Sequence, residues 1–431
     1  MSSLTFAGLL VLISIPFKLL YVLLCYPFRG GVNPKFRSSL SNSLKWQLSR
    51  TALSMPVPCA WILSIPSAKI TIRKVLPFKF PALVQGLGKY GEQYDDQSIW
   101  LVEAEGRDKA DPIIIFLHGG GYFIDARPEQ FESVLSIYHL LEPEKKATLS
   151  VLYLDYKLAH SGHTITTQLH QLVETYQRLT VQDGNSNIIL MGDSAGGHLA
   201  ITFLQYIRQT KDETKMPWPK SVILISPAVK VNPEPHQFET GWSYFDNKDI
   251  DMVQYKVIHS SSYQNAIVGE LDITSLLVSP GNAQYKHGDW DDIPTFTQSG
   301  YSSLTLVGEH ESLRDDVLEW CRYAVKSPLT KQKVDSMGIY NADLHQYKNE
   351  GGGDKGARAE VYVEPWGIHD AVLFFENHVA AKVARGAELK HLDPVEFFGI
   401  VKVTEFLNTI LECPKNTRKE ESEKCNINTQ P

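Results

Sequence analysis

Short apolar runs alternate with amphipathic segments over most of the chain, beginning near residue 93. Runs such as Ile113-Ile-Ile-Phe-Leu-His are continuously apolar, which predicts strands buried on both faces. Apolar residues at helical spacing predict helices between these runs. Strands are predicted at 99–104, 113–118, 150–155, 187–192, 220–226, 303–308 and 360–364, and helices at 168–179, 195–209, 314–325 and 394–411. This alternation predicts an α/β fold whose mostly parallel sheet carries helices on both faces.

Two stretches interrupt this alternation. Residues 228–300 are rich in aromatic residues, Asp and Ser and carry helical pieces such as 250–258, so we expect a cap or lid inserted over the sheet. Residues 327–358 are polar and include Gly351-Gly-Gly, which predicts a surface loop. The main domain is predicted at 93–413, and the polar tail at 414–431 is predicted to be disordered.

The first 29 residues form the most apolar part of the chain. Residues 6–26 are apolar except for Ser14 and Lys18, and about 20 such residues span the hydrocarbon core of a bilayer. A cleaved signal peptide is the alternative, but no Lys or Arg precedes the apolar run and bulky residues follow it. We therefore expect an uncleaved membrane anchor at 1–29, and Pro16 with Lys18 leaves room for a kinked or half-inserted helix.

Charge is distributed unevenly along the 431 residues. The net charge is −7, yet the first 91 residues contain eleven Lys and Arg and no acidic residue, Glu92 being the first. A basic, apolar head before an acidic body is typical of a membrane-proximal segment, and the negative total argues against nucleic acid as a partner. For residues 30–92 we expect a basic membrane-proximal or lid segment, with ordinary packing against the core as the alternative.

The sequence Gly192-Asp-Ser-Ala-Gly matches the G-x-S-x-G pattern of a nucleophile elbow. An apolar strand precedes it and a predicted helix follows, which is the context that this motif requires. Glycines on both sides allow a tight, strained turn that presents the Ser194 hydroxyl at the start of the helix. Ser194 is therefore the candidate nucleophile.

His118-Gly-Gly-Gly-Tyr lies at the end of another predicted strand and matches an HGGG oxyanion loop. Glycines let backbone N–H groups approach a developing oxyanion without obstruction by side chains. A phosphate-binding loop is the alternative, but neither GxGxxG nor Gly-Lys-Ser/Thr is present. We expect His118 itself to be a structural hydrogen-bonding residue.

A serine nucleophile needs a general base and an acid that orients it, in the chain order Ser, Asp or Glu, then His. His369 lies just after the last predicted strand, where this order places the base. The acid should follow the preceding strand, where the sequence reads Glu309-His-Glu-Ser-Leu-Arg-Asp-Asp. Glu309 and Asp370 are alternative acids, which we expect instead to be solvated or structural because geometry decides the role.

These motifs resemble the hormone-sensitive-lipase branch of the α/β-hydrolases. That branch often carries Asp-Pro-Leu-Arg-Asp at the acid, and Glu311-Ser-Leu-Arg-Asp stands at that place, so the resemblance implies Glu311 rather than Asp315. The apolar N-terminal segment, Thr167-Gln-Leu and the run from Gly308 to Asp315 look most like fungal steryl acetyl hydrolases. The resemblance implies an α/β-hydrolase fold, with a cap insertion, behind the N-terminal anchor.

The resemblance also implies a role for each matching residue. Ser194 would be the nucleophile, His369 the general base and then acid, and Glu311 the group that orients His369. The backbone N–H groups of the oxyanion site would belong to Gly120, Gly121 and Ala195. No cofactor is implied, and no metal site is expected, because HExxH and paired CxxC motifs are absent from the sequence.

The predicted function is a membrane-anchored serine esterase that acts on acetyl esters of sterols or similar lipophilic alcohols. Alternatives are a broad carboxylesterase, an arylacetamide-deacetylase-like hydrolase, or an inactive hydrolase fold used for binding. The resemblance suggests the endoplasmic reticulum membrane and a lumenal site. The basic residues after the apolar segment instead place the body in the cytosol, so its side stays open.

Overall fold

The computed structural model describes residues 3–254, 257, 260–330 and 336–411, so the tail predicted at 414–431 lies outside the described residues. The described part contains a nine-stranded sheet in the order β1-β2-β4-β3-β5-β6-β7-β9-β8. The strands are β1 Gln93–Asp95, β2 Ser98–Val102, β3 Ile113–Leu117, β4 Ser150–Leu154, β5 Ile188–Asp193, β6 Ser221–Ile225, β7 Ser302–Gly308, β8 Gln346–Asn349 and β9 Arg358–Glu364. Strands β3 to β7 and β9 run parallel, whereas β1, β2 and β8 pair antiparallel at the two edges.

The longer helices flank this sheet and precede it. They are α1 Phe6–Arg29, α2 Leu40–Ala52, α3 Pro128–Leu140, α4 Ile165–Gln177, α5 Ala195–Thr214, α6 Arg314–Ala324 and α7 Phe398–Ile410. Shorter helices include Val57–Ser64, Ala68–Ile70, Leu76–Lys79, Pro81–Val84, Pro143–Lys146, Ser243–Asp246, Ser261–Ile267, Pro294–Thr297, Ala342–His345 and Val379–Val383.

The sheet separates two hydrophobic cores, as a strand buried on both faces requires. In β3, Ile113 and Ile115 pack in the core shared with α4, α5 and α6, whereas Ile114 and Phe116 pack in the core shared with α3 and α7. The predicted mostly parallel sheet with helices on both faces is therefore confirmed.

The structure differs from the sequence-based expectation at several element boundaries. The segment predicted as a surface loop at 327–358 contains β8, which pairs with β9 and extends the sheet by one short edge strand. The helical piece predicted at 250–258 is wrong for its described first half, where residues 250–253 form turns and bends. Its apolar spacing instead places buried Met252 beside buried Asp251.

The basic segment after α1 is docked on the body of the protein. Lys35 forms an ion pair with Glu364, and the Lys45 ammonium donates to the Phe374 carbonyl and to Asn377 Oδ1. Glu364 is the last residue of β9, and Phe374 and Asn377 lie in the segment after it, close to His369 in the chain. Part of the N-terminal positive charge therefore pairs with acceptor groups of the hydrolase body, which fits the packing alternative. These contacts also place the segment beside the candidate site.

Candidate active site

The turn between β5 and α5 places Ser194 at the carboxyl edge of the sheet. Its φ of 49° lies in the left-handed region, which a non-glycine residue adopts only where surrounding structure enforces it. A Cβ at Gly196 would lie 1.8 Å from the Leu117 carbonyl oxygen, and one at Gly192 would lie 2.4 Å from the Gly196 backbone. Both glycines are thus required sterically. Ser194 itself is only 7% exposed.

The loops after β7 and β9 bring Glu311 and His369 to this serine. His369 Nε2 lies 2.9 Å from Ser194 Oγ, and His369 Nδ1 lies 2.8 Å from Glu311 Oε1. Glu311 is fully buried, and its other oxygen accepts hydrogen bonds from Ser226 Oγ at 2.8 Å and from Gly308 N at 2.9 Å. The three candidate residues, far apart in sequence, therefore form one hydrogen-bonded series.

The other acids near Glu311 have different partners. Glu309 accepts hydrogen bonds from Ser336 and from the Trp366 backbone N–H. Asp315 pairs with Arg314 at 2.9 Å and accepts the backbone N–H of Ser243. Their carboxylates organise neighbouring loops, as expected for structural residues.

Asp370 is buried within the site, which contradicts a solvated carboxylate and is compatible with a structural one. It is 2% exposed, and its Oδ2 lies 3.2 Å from His369 Nε2, the nitrogen that also faces Ser194. Among the described residues, its Oδ1 has no hydrogen-bond partner. Burial of this carboxyl raises its pKa well above the ordinary value.

The neighbouring carboxylates shift the pKa of His369 upwards. Burial alone would lower the pKa, but the negative charges of Asp370 and Glu311 outweigh it and raise the pKa to about 10. Protonation of Asp370 would remove one of those charges, so the two neighbours titrate as a pair.

Asp251 is a buried residue of the site that sequence reasoning missed. Its Oδ1 accepts the backbone N–H of His369 at 3.0 Å, and its Oδ2 accepts the backbone N–H of Ser312 at 2.8 Å. It lies in the 228–300 insertion, far in sequence from both loops. The surrounding sequence, Asn247-Lys-Asp-Ile-Asp-Met, contains other charged residues, and nothing in it singles out Asp251.

The glycine loop after β3 faces the same edge of the sheet. Gly120 and Gly121 have φ values of 105° and 60°, which favour glycine, and a Cβ at Gly121 would lie 2.7 Å from the Tyr263 hydroxyl. Asp193 Oδ1 accepts the Gly119 N–H at 2.9 Å, which ties this loop to the elbow. Ala195 begins α5, where the first N–H groups of a helix lack intrahelical acceptors.

His118 contributes to this loop through its side chain. Its ring stacks on Tyr156 with centroids 4.1 Å apart, and Nδ1 lies 2.6 Å from the Gly119 carbonyl oxygen. Burial lowers the pKa of His118 to about 4, which keeps the imidazole neutral. These contacts agree with a structural rather than a catalytic role.

The arrangement suits acyl transfer. A neutral imidazole can take the Ser194 proton, a buried carboxylate can stabilise the imidazolium that forms, and backbone N–H groups can bind an oxyanion. Among residues 3–254, 257, 260–330 and 336–411, no group of three or more His, Cys, Asp or Glu side chains is placed to hold a metal ion.

Comparison with known proteins gives a consistent set of matches. A family model described as steryl acetyl hydrolase matches residues 88–333. "Putative steryl acetyl hydrolase mug81" of Schizosaccharomyces pombe is 32% identical over 258 residues, which are 58% of this chain and 66% of that protein. "Steryl acetyl hydrolase 1" of Saccharomyces cerevisiae is 32% identical over 130 residues, which are 29% of each chain. The matches thus span less than two thirds of the length of these relatives.

The fold has a counterpart among solved structures. A hormone-sensitive lipase from a metagenome library superposes with a TM-score of 0.52 at 19% identity, covering 85% of this chain and 97% of that one. This likeness shows that the chain has the α/β-hydrolase fold, as the motifs predicted.

Proposed function

Because the chain belongs to the steryl acetyl hydrolase family, we propose that it is a serine esterase that cleaves acetyl esters of sterols or similar lipophilic alcohols. The observation that carries this proposal is the hydrogen-bonded series from Ser194 through His369 to Glu311, with bonds of 2.9 and 2.8 Å. Each neighbour in this series is placed for one proton-transfer or orienting role.

In the proposed reaction, His369 Nε2 removes the proton of Ser194 as Oγ attacks the ester carbonyl carbon. The tetrahedral intermediate collapses when the imidazolium gives that proton to the alkoxide of the leaving alcohol, which leaves an acetyl-enzyme. Water then attacks the acetyl carbonyl carbon as His369 takes its proton, and the second tetrahedral intermediate collapses when the imidazolium returns that proton to Ser194 Oγ, which releases acetic acid as acetate and restores the serine hydroxyl. Glu311 holds the imidazole by Nδ1 and stabilises its positive charge during both steps.

The oxyanion that develops in both steps needs donors with fixed positions. We assign this role to the backbone N–H groups of Gly120, Gly121 and Ala195. Donors of this kind each lower the barrier by about 3–4 kcal/mol. The tie between Asp193 and Gly119 supports the assignment, because it fixes the glycine loop relative to the elbow before substrate binds.

The exposed apolar surface of α1 supports a lipophilic substrate that reaches the enzyme from a membrane. Helix α1 is 24 residues long, and only 11% of its most apolar stretch is buried within the protein. We propose that it binds the protein to a membrane, from which a steryl ester would reach the site. The endoplasmic reticulum stays our prediction for that membrane on the family resemblance, and a signal sequence is the alternative for an apolar helix of this length near the N-terminus.

The test is hydrolysis of a steryl acetate, p-nitrophenyl acetate and p-nitrophenyl butyrate by the detergent-solubilised full chain. Wild type is compared with Ser194→Ala and with Ser186→Ala, which changes an exposed serine outside the site. Loss of steryl acetate hydrolysis in Ser194→Ala alone would support the proposal. Turnover of only the small esters would contradict the sterol substrate and support a broad carboxylesterase.

Inactivity towards all three esters, together with no labelling by a fluorophosphonate probe, would contradict an esterase. A folded but unreactive protein would then fit the alternative of a hydrolase fold used for binding.

A further inference from the structure

The glycine loop, residues 119–121, needs a fixed point at each end, because glycine has more backbone freedom than any other residue. The hydrogen bond between Asp193 and the Gly119 N–H fixes the first end. Tyr122 is the residue at the other end, directly after Gly121, and it is only 3% exposed. The contacts of this buried tyrosine therefore decide whether the second end is fixed as well.

Tyr122 has a backbone conformation that only surrounding contacts can hold. Its φ of 64° lies in the left-handed region, which is costly for a residue with a bulky side chain. The Tyr122 carbonyl accepts the Ala159 N–H at 2.7 Å, and the Tyr122 hydroxyl lies 2.8 Å from His198 Nδ1. The main chain and the side chain of this residue are thus each held by a separate hydrogen bond.

His198 is fully buried, and its two ring nitrogens have different partners. Nε2 lies 3.0 Å from the Val278 carbonyl oxygen, which can only accept a hydrogen bond, so Nε2 carries the ring proton. Burial lowers the pKa of His198 to about 4, so the imidazole is neutral and Nδ1 carries no proton. Nδ1 therefore accepts the hydrogen bond that the Tyr122 hydroxyl donates.

His198 is fixed relative to the nucleophile through the main chain. It lies four residues after Ser194, in the first turn of α5, and its N–H donates to the Ser194 carbonyl at 3.0 Å. This bond is the first that the helix closes, so the position of His198 follows that of the elbow. The second end of the glycine loop is therefore fixed to the helix that begins with Ala195.

Val278, which accepts from the imidazole, lies in the insertion and is fixed to the elbow by another route. Ala228 N, in the segment after β6, donates to the Ser194 carbonyl at 3.0 Å. Gly281 N donates to the Val229 carbonyl at 2.8 Å, which holds the stretch around Val278 to that segment. Hydrogen bonds thus connect the elbow, the insertion, the imidazole and the glycine loop in a closed path.

We propose that Tyr122 and His198 are positioning residues of this esterase, and that their hydrogen bond fixes the glycine loop relative to Ala195. The backbone N–H groups of Gly120 and Gly121 then point, together with that of Ala195, at a single oxyanion. Donors with fixed positions stabilise an oxyanion because they need no reorientation when its charge develops. This inference rests on the proposed function and adds two residues that set its rate through the backbone.

Four variants separate this role from the loss of any buried hydrogen bond. Tyr122→Phe removes only the hydroxyl. In His198→Asn the amide oxygen is attached to Cγ, as Nδ1 is in the imidazole, so an acceptor for Tyr122 is kept. In His198→Gln the amide nitrogen replaces Nε2, so the donor to Val278 is kept and the acceptor is lost. The matched control is Tyr176→Phe, because buried Tyr176 donates to the Pro217 carbonyl at 2.8 Å, at the edge of the sheet where β6 begins.

Steady-state hydrolysis of p-nitrophenyl acetate gives the first readout, with active sites counted by end-point labelling with a fluorophosphonate. We expect kcat to fall by about 10- to 100-fold in Tyr122→Phe and His198→Gln with little change in KM, because displaced donors weaken binding of the transition state more than of the ester. His198→Asn should retain more activity than His198→Gln, and Tyr176→Phe should match wild type.

Inhibition by a trifluoromethyl ketone reports on the oxyanion site itself. Ser194 Oγ bonds to the ketone carbon, the π electrons of the carbonyl move to its oxygen, and the serine proton passes to His369 Nε2. The complex therefore carries the oxyanion that the glycine loop is proposed to bind. We expect the inhibition constant to rise in Tyr122→Phe by about the factor by which kcat/KM falls.

A pair that served only the stability of the fold would give a different result. The melting temperature of Tyr122→Phe would fall, while kcat per labelled site and the inhibition constant would stay at wild-type values. That result, or equal losses of kcat in Tyr122→Phe and Tyr176→Phe, would overturn the inference and leave the esterase intact. Where Tyr122→Phe yields too little folded protein, activity of His198→Gln at or above that of His198→Asn would overturn it. A wild type inactive on every ester would overturn the proposed function and this inference with it.

Discussion

Asp251 accepts the backbone N–H of His369 at 3.0 Å, and so holds the candidate general base by its main chain. The same carboxylate accepts the N–H of Ser312, the residue after Glu311, at 2.8 Å. One buried side chain therefore sets the separation of the two loops whose side chains meet at 2.8 Å. Arg50 of α2 donates to the Asp251 carbonyl, so the N-terminal segment in turn positions Asp251.

Replacing Asp251 with Asn should lower kcat more than it changes KM. An amide keeps the shape but offers only one acceptor oxygen, so one of the two loops loses its hydrogen bond. A displacement of 1 Å in catalytic geometry can cost about 100-fold in rate. We therefore expect kcat for p-nitrophenyl acetate to fall by about 10- to 100-fold in Asp251→Asn.

The control for this change is Asp246→Asn, an exposed residue of the same insertion that accepts the Gly241 N–H at 2.9 Å. The pH profile adds a second readout, because the negative charge of Asp251 raises the pKa of His369. A lower melting temperature with kcat and pH profile unchanged would assign Asp251 a purely structural role.

Two variants of Glu311 should separate the effect of the carboxylate charge on kcat from the effect of the side-chain length. Glu311→Gln removes the charge that stabilises the imidazolium, and the corresponding change in serine proteases lowers kcat by about 10⁴-fold. Glu311→Asp keeps the charge but shortens the side chain by one methylene, so we expect an intermediate kcat. Steady-state hydrolysis of p-nitrophenyl acetate measures both, and a Gln variant within about tenfold of wild type would exclude Glu311 as the orienting acid.

Asp370→Asn should move the acid limb of the kcat/KM profile to lower pH. The reaction needs neutral His369, and the negative charge of Asp370 raises the pKa of that imidazole. Removing the charge destabilises the imidazolium, so the pKa falls and the base stays neutral to lower pH. Profiles between pH 5 and 10 in wild type and variant measure the change. An unmoved or upward-shifted limb would show that Asp370 does not set the charge state of His369.

Gly121→Ala should reduce kcat/KM through the oxyanion site. The new Cβ would lie 2.7 Å from the Tyr263 hydroxyl at a φ of 60°, so the glycine loop must shift. Loss of one oxyanion donor costs about 10²- to 10³-fold in kcat. Gly300→Ala is the matched control, because its φ of 85° carries similar strain but a Cβ there meets nothing within 4 Å.

A second variant, Gly121→Ala with Tyr263→Phe, removes the hydroxyl that the new methyl group would strike. Partial recovery of kcat/KM in the double variant would identify the clash as the cause. Equal losses in Gly121→Ala and Gly300→Ala would instead point to general destabilisation and contradict a special role for this glycine.

Local sequence determined the parts of the site that depend on a few consecutive residues. The elbow at Ser194 was predictable because an apolar strand, two glycines and a helix define its geometry within ten residues. His369 followed from its place after the last parallel strand, since the carboxyl ends of such strands meet at one edge of the sheet. Glu311 required the family resemblance as well, because several acids follow the same strand.

Only the tertiary structure decided which distant groups would meet. Asp251 reaches the site from a bend in the 228–300 insertion, and no periodicity predicts which carboxyl of that insertion will face a neighbouring loop. The burial of Asp370 beside His369 also depends on packing around a turn, although the two residues are adjacent in sequence. Packing between segments that lie far apart in the chain sets such contacts, and the sequence pattern of one segment cannot show which other segment it will meet.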